Sequence, residues 1–135
     1  MSDSIRPTRY AARFDNLPAM LAAVQAVCQQ AGFDSRARHR VELVLEEAFA
    51  NSVRHGYGGE GDHAVWLSVA AHGTGLRVVF ADAAPAFDPL AGAALPAEGH
   101  VGGLGRVLIK TLPTQVDYRR EDGRNILTMD FAHGE

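Results

Sequence analysis

Cysteine occurs once, as Cys28, so the chain can close no disulfide on itself and a thiolate metal centre has too few ligands. The expected environment is a reducing cytoplasm, with Cys28 a small buried thiol. Lysine is equally scarce: Lys110 is the single one among thirteen basic residues. A Walker A loop has no place, because Ile109 stands where glycine must precede the Lys-Ser/Thr pair, and a Rossmann fingerprint fails at Leu108. Excess positive charge is absent, with sixteen acids leaving a net charge of -3, so nothing global draws the chain to nucleic acid or an anionic membrane. No apolar run approaches eighteen residues, and the N-terminus MSDSIRPTRY lacks the apolar core of a signal peptide. The six histidines show no close metal-ligand spacing.

What is present is the balance of a globular fold: 135 residues, 47% hydrophobic and 21% charged, enough for one domain with one core. Residues 1–7 read as a flexible N-terminus and 8–135 as a single domain. Thr8 to Phe14 predicts a short strand, closed by Asp15 and Asn16. Leu17, Met20, Leu21, Val24 and Cys28 recur at helical spacing up to Ala31, and Gly32 supplies the helix stop. Asp34 or Ser35 caps a second helix, expected to reach Arg54, with Val41, Val44, Leu45, Ala48, Phe49 and Val53 on its apolar face. Val65 to Ala70 and Leu76 to Asp82 predict a hairpin across His72–Gly75. Residues 83–101, rich in Ala, Gly and Pro, have no periodicity and are too long for an ordinary connection, which predicts a lid. Gly102 to Leu112 restarts as a helix, stopped by Pro113. Gln115 to Arg119 and Asn125 to Phe131 pair across Glu121-Asp122-Gly123. This order predicts an α/β (α+β) two-layer sandwich, with helices on one face of a mixed, mainly antiparallel sheet.

Three features carry chemistry. Glu47 and Asn51, four apart on the second helix, project from one face; they suit a solvated helix surface, or a base beside a hard oxygen for Mg²⁺. Asp82 ends a strand on the face shared by Leu76, Val78 and Phe80. It reads either as a cap on the turn through Ala83, Ala84 and Pro85, or as an acceptor for the exocyclic amine of adenine, which guanine cannot supply. Gly102, Gly103, Leu104 and Gly105 open a helix, where bare amides and the helix dipole converge on an anion; a hinge for the lid is the other reading.

These stations coincide with a family. Glu46-Glu47-Ala48-Phe49-Ala50-Asn51 followed by His55-Gly56-Tyr57-Gly58 resembles the N box of the anti-sigma factor serine kinases of the GHKL ATPase superfamily. Phe87-Asp88-Pro89, the glycine cluster, Val116 to Arg120 and Asn125 to Thr128 look like the later stations in the same order, so the resemblance spans residues 8–131. It implies a Bergerat-type ATP fold with Glu47 as base, Asn51 on Mg²⁺, Asp82 on adenine, Gly102, Gly103, Leu104 and Gly105 on the phosphates, and Thr128 supporting the adenine side. It also implies the cofactors ATP and Mg²⁺. The implied protein partners are an anti-sigma factor antagonist of STAS type as substrate, a sigma factor and a second copy in a homodimer, with neither nucleic acid nor membrane. A regulatory module that binds ATP and turns over little of it is the alternative. The ATP-binding domain of a sensor histidine kinase would need an upstream helical domain, for which about forty residues before Glu47 leave no room. Ala84 departs from the pattern, standing where the family has glycine; if the turn needs positive φ, the methyl costs on the order of 1 kcal/mol and weakens nucleotide binding about fivefold. Arg106 replaces a common aliphatic residue and is expected to reach phosphate or to face solvent.

Overall fold

The computed structural model describes residues 6–91 and 104–133. Strand β1 (Thr8–Ala11) is shorter than its sequence suggests. The chain leaves the sheet at Ala12, whose N–H donates to the His63 carbonyl; Phe14 N then donates to Glu60 Oε1, opening a 3-10 turn over Phe14–Asn16. Helix α1 (Leu17–Gln30) starts with Pro18 in its first turn, where a missing N–H costs nothing, and buries Met20, Val24 and Cys28 at four-residue spacing. Gly32 follows at φ +78°, a conformation that favours glycine.

Helix α2 (Ser35–Asn51) is capped by Asp34, whose carboxylate accepts from Ala37 N at 2.9 Å. It does not run on to Arg54 as an α-helix. From Ser52 to Gly56 the backbone widens into a π turn, a form that concentrates at functional sites. Strands β2 (Ala64–His72) and β3 (Gly75–Asp82) form the expected hairpin around Gly73. Helix α3 (Leu104–Thr111) precedes the hairpin of β4 (Gln115–Glu121) and β5 (Arg124–Phe131), turned by Asp122 and Gly123, both at positive φ. The expected Gly102 start of α3 and residues 92–101 of the expected lid lie outside the described residues.

Among the described residues five strands are ordered β1-β2-β3-β5-β4 and pair antiparallel, with the helices on one face, as the two-layer α/β sandwich requires. Alternation sends Val65, Leu67, Leu76, Val78, Phe80, Leu127, Met129 and Phe131 into one core with Phe49, Leu45 and Ile109 of the helices. The opposite face carries Trp66, with the Arg124 guanidinium 3.7 Å from its ring centroid, and the Arg77–Asp130 ion pair. No helix among the described residues is long and apolar enough to cross a membrane.

Candidate functional site

A cavity opens where α2 passes into its π turn, lined by Ala48, Asn51, Gly56, Phe80, Asp82 and Ile109 among others. Asp82 forms its floor. It ends β3 on the core face and is only 8% exposed, so its oxygens need donors. Oδ1 accepts from Ala84 N at 3.1 Å and Asn125 Nδ2 at 2.8 Å; Oδ2 accepts from Ser52 Oγ at 2.6 Å. A carboxylate has about four acceptor positions, so Asp82, which lines the cavity, keeps capacity for one more donor at Oδ2. Asp82 is therefore a turn cap and an open acceptor together.

Asn51, at the last position of α2, lines the same cavity, and its Nδ2 is buried with no hydrogen-bond partner. Glu47, one turn earlier, does not line the cavity; it lies against the first turn of α3, where a Cβ at Gly105 would collide with Glu47 Oε1. Glycine is needed there for close approach, in a helical conformation. Leu104 is half exposed beside it. Gly102 and Gly103 lie outside the described residues.

Three expectations are corrected. Thr128 does not support this cavity: it pairs with Val79 and Asp117 on the outer face of the sheet, opposite in parity to Leu127 and Met129. Its place is taken by Asn125, which shares the core-face parity. Ala84 has no positive φ, so its methyl imposes no backbone strain. The methyl packs toward Gly56, where an added Cβ would come within 2.9 Å of it. Arg106 neither faces open solvent nor points at an anion site; it donates to the carbonyls of Pro89 and Ala91 and lies over the Phe87 ring, 5.3 Å from its centroid.

Residues 83–91 thus form a strap across the mouth of the cavity. Tyr57 Oη fixes its root, donating to Ala64 O at 2.6 Å and accepting from Ala83 N at 2.7 Å. Burial holds the Tyr57 hydroxyl above its ordinary pKa, against the Ala83 N–H and together with the charge of Asp82. Arg120 donates to Ala84 O at 2.7 Å. Ala84, Pro85, Phe87 and Pro89 of this strap line the cavity. His55 is exposed, and the described residues hold no group of three or more His, Cys, Asp or Glu able to share a metal.

A profile of the histidine kinase-like ATPase domain matches residues 10–131. Serine-protein kinases RsbW from Listeria monocytogenes serotypes 4a and 4b are 25% identical to the chain over 120 residues, which is 82% of this chain and 76% of theirs. The Acinetobacter baumannii histidine kinase AdeS superposes with a TM-score of 0.51 at 16% identity, over 97% of this chain and 70% of that one; this likeness is one of fold.

Proposed function

Since the chain belongs to the histidine kinase-like ATPase domain family, a family of ATP-binding domains, we propose that it is an ATP-dependent protein-serine kinase that phosphorylates an anti-sigma factor antagonist of STAS type and sequesters a sigma factor. The observation that carries this reading is Asp82, a buried carboxylate with three internal donors and one acceptor direction open to the cavity. That direction suits the exocyclic amine of adenine and rejects the carbonyl of guanine.

The other residues fit a nucleotide with its metal. Asn51 lines the cavity, where its unpartnered amide nitrogen suits a ligand oxygen, and its side-chain oxygen is the hard donor a metal would use. Together with phosphate oxygens and waters it would hold Mg²⁺, which neutralises phosphate charge during transfer. Leu104 and Gly105 present the first backbone amides of α3, whose positive dipole end favours phosphate. Glu47 lies about one helical turn from Asn51 and against that same end of α3, which supports a role for it as the base that would take the proton of an incoming serine hydroxyl. As that oxygen bonds to the γ-phosphorus, the bond to the β-phosphate oxygen breaks and ADP leaves. The alternative, a regulatory module with little turnover, draws on Ala84: without a positive φ there, backbone strain no longer contributes to it, and the methyl lining the cavity is what remains in its favour.

Titration with ATP and GTP, followed by transfer of labelled γ-phosphate to an antagonist encoded in the same genome, tests the proposal. ATP should bind selectively, Asp82→Asn should lose that selectivity, and one serine of the antagonist should be labelled. Equal affinity for both nucleotides would reduce Asp82 to its turn-capping role. Selective ATP binding without transfer to a partner that demonstrably binds would make the chain a regulatory module.

A further inference from the structure

Asn125 has no role in the chemistry above, yet its amide is the most connected polar group around the cavity. Nδ2 faces three oxygens: Asp82 Oδ1 at 2.8 Å, Pro85 O at 3.1 Å and Ala84 O at 3.2 Å. On the other side, Oδ1 accepts from Tyr118 Oη at 2.6 Å and from Phe87 N at 3.1 Å. The amide can sit only this way round. Flipped, its oxygen would face three other oxygens and its NH₂ would meet the Phe87 N–H.

We infer that Asn125 is a positioning residue that makes the base-recognising carboxylate and the strap over the cavity one unit. This rests on the reading of Asp82 as the adenine acceptor. By occupying Oδ1, Asn125 and Ala84 N leave Oδ2, steadied by Ser52, as the oxygen with a free direction. Through Phe87 N the same amide holds the strap down at its midpoint, while Arg106 holds its far end through Pro89 O. Tyr118, reaching over from β4 and itself lining the cavity, adds a donor to the same Oδ1 and steadies the amide in that orientation. Asn125 bonds the strap on both sides of Ala86, to Ala84 O and Pro85 O toward its root and to Phe87 N toward its middle, so it stands between a root tied to Asp82 and the span that carries Phe87. Selectivity for adenine and opening of the strap are therefore both set by one side chain acting through Asp82 and Phe87.

The test compares the parent with Asn125→Ala and Tyr118→Phe by amide hydrogen exchange without nucleotide, by thermal unfolding, and by ATP and GTP titration. In Asn125→Ala, exchange at Phe87 and Ala84 should rise about tenfold or more, and ATP affinity should fall by roughly 10- to 100-fold, the loss of a hydrogen bond to a charged group. GTP affinity should change little, so the ATP/GTP ratio collapses. Tyr118→Phe removes one hydroxyl on the exposed side of the network and should fold as the parent does; the same changes should follow at about 2- to 10-fold. Unaltered exchange at Phe87 in both variants would overturn the inference, as would equal loss of ATP and GTP affinity, which is what a purely structural asparagine gives. If the parent itself binds neither nucleotide, the ATP reading fails, and exchange at Phe87 still decides whether Asn125 holds the strap.

Discussion

Ala84 and Gly56 divide one small volume between them, and the division fixes both identities. A methyl at residue 56 would stand 2.9 Å from the Ala84 methyl, closer than carbon atoms pack. Gly56→Ala should therefore destabilise the protein by about 1–3 kcal/mol, read from urea unfolding. Ala84→Gly should itself cost on the order of 1 kcal/mol through the lost contact and the freer backbone of the unfolded chain. The double variant should recover part of the sum, since the two residues share one contact; strict additivity would show that they do not. Glu47→Gln follows from the proposed base. Phosphotransfer should fall by roughly 10² to 10⁴ with ATP affinity kept within a few fold, measured by single-turnover transfer and calorimetry. At this scale the sequence was legible wherever periodicity applies. Asp82 shares the face of Leu76, Val78 and Phe80, as alternation requires. The same rule places Asn125 with Leu127, Met129 and Phe131, and Thr128 on the other side; family resemblance favoured Thr128, and parity decides against it. Ser52 was detectable too, as a hydroxyl four residues beyond Ala48 on a buried stripe, where a polar group requires a partner. That its partner is Asp82, thirty residues on, is a tertiary fact.

Among the elements, the π turn after Asn51 carries the most consequence for the site. It brings Ser52 onto Asp82 and Gly56 against Ala84 within five residues. Ser52→Ala leaves Asp82 Oδ2 with no internal donor, so a stability loss of about 1–3 kcal/mol is expected in chemical denaturation. ATP should restore part of it by supplying a donor to the same oxygen, visible as a larger nucleotide-induced rise in Tm than the parent shows. Helices α1 and α2 and both hairpins were readable because apolar spacing, a cap at Asp34 and Asp-Gly or Gly turns agree along each segment. The end of α2 was not readable. Widening from α to π changes one hydrogen bond per residue and leaves the hydrophobic pattern almost untouched, so Val53 stays buried either way. The early end of β1 follows from Glu60 and His63, residues of a distant loop that take the Phe14 and Ala12 amides.

For the molecule as a whole, two ionisable groups contribute to the pH dependence of stability. Arg77 beside Asp130 holds that carboxyl below the usual carboxylate range, mainly through the hydrogen bond at 2.7 Å. A folded pKa below the unfolded one contributes stability above the unfolded value, lost as pH falls through the folded one. Asp130→Asn should therefore lower stability at pH 7 by up to about 1 kcal/mol, given the partial exposure of the pair, and flatten the acid limb of a stability-pH curve. Burial pushes the Cys28 thiol up to about 11, followed in effect by the charge of Glu42. Its contribution is complete below the unfolded value and declines as pH rises through the folded one, so the alkaline loss of stability should be shallower in Cys28→Ala. Native Cys28 should resist a disulfide exchange reagent at pH 8 and react once the chain is unfolded.

The strand order has a kinetic corollary. Each hairpin closes over a tight turn, but the seam between β3 and β5 joins residues far apart, with Asp82 and Asn125 separated by 43 positions at its final rung. Loop closure across that span is paid before the pairing returns anything, so the two hairpins form as separate pieces and the seam is their late junction. The rung that orients the cavity's carboxylate belongs to that junction and to neither hairpin. A nucleotide held there would act chiefly as a brake on the escape of the folded chain, lengthening its lifetime more than hastening its assembly.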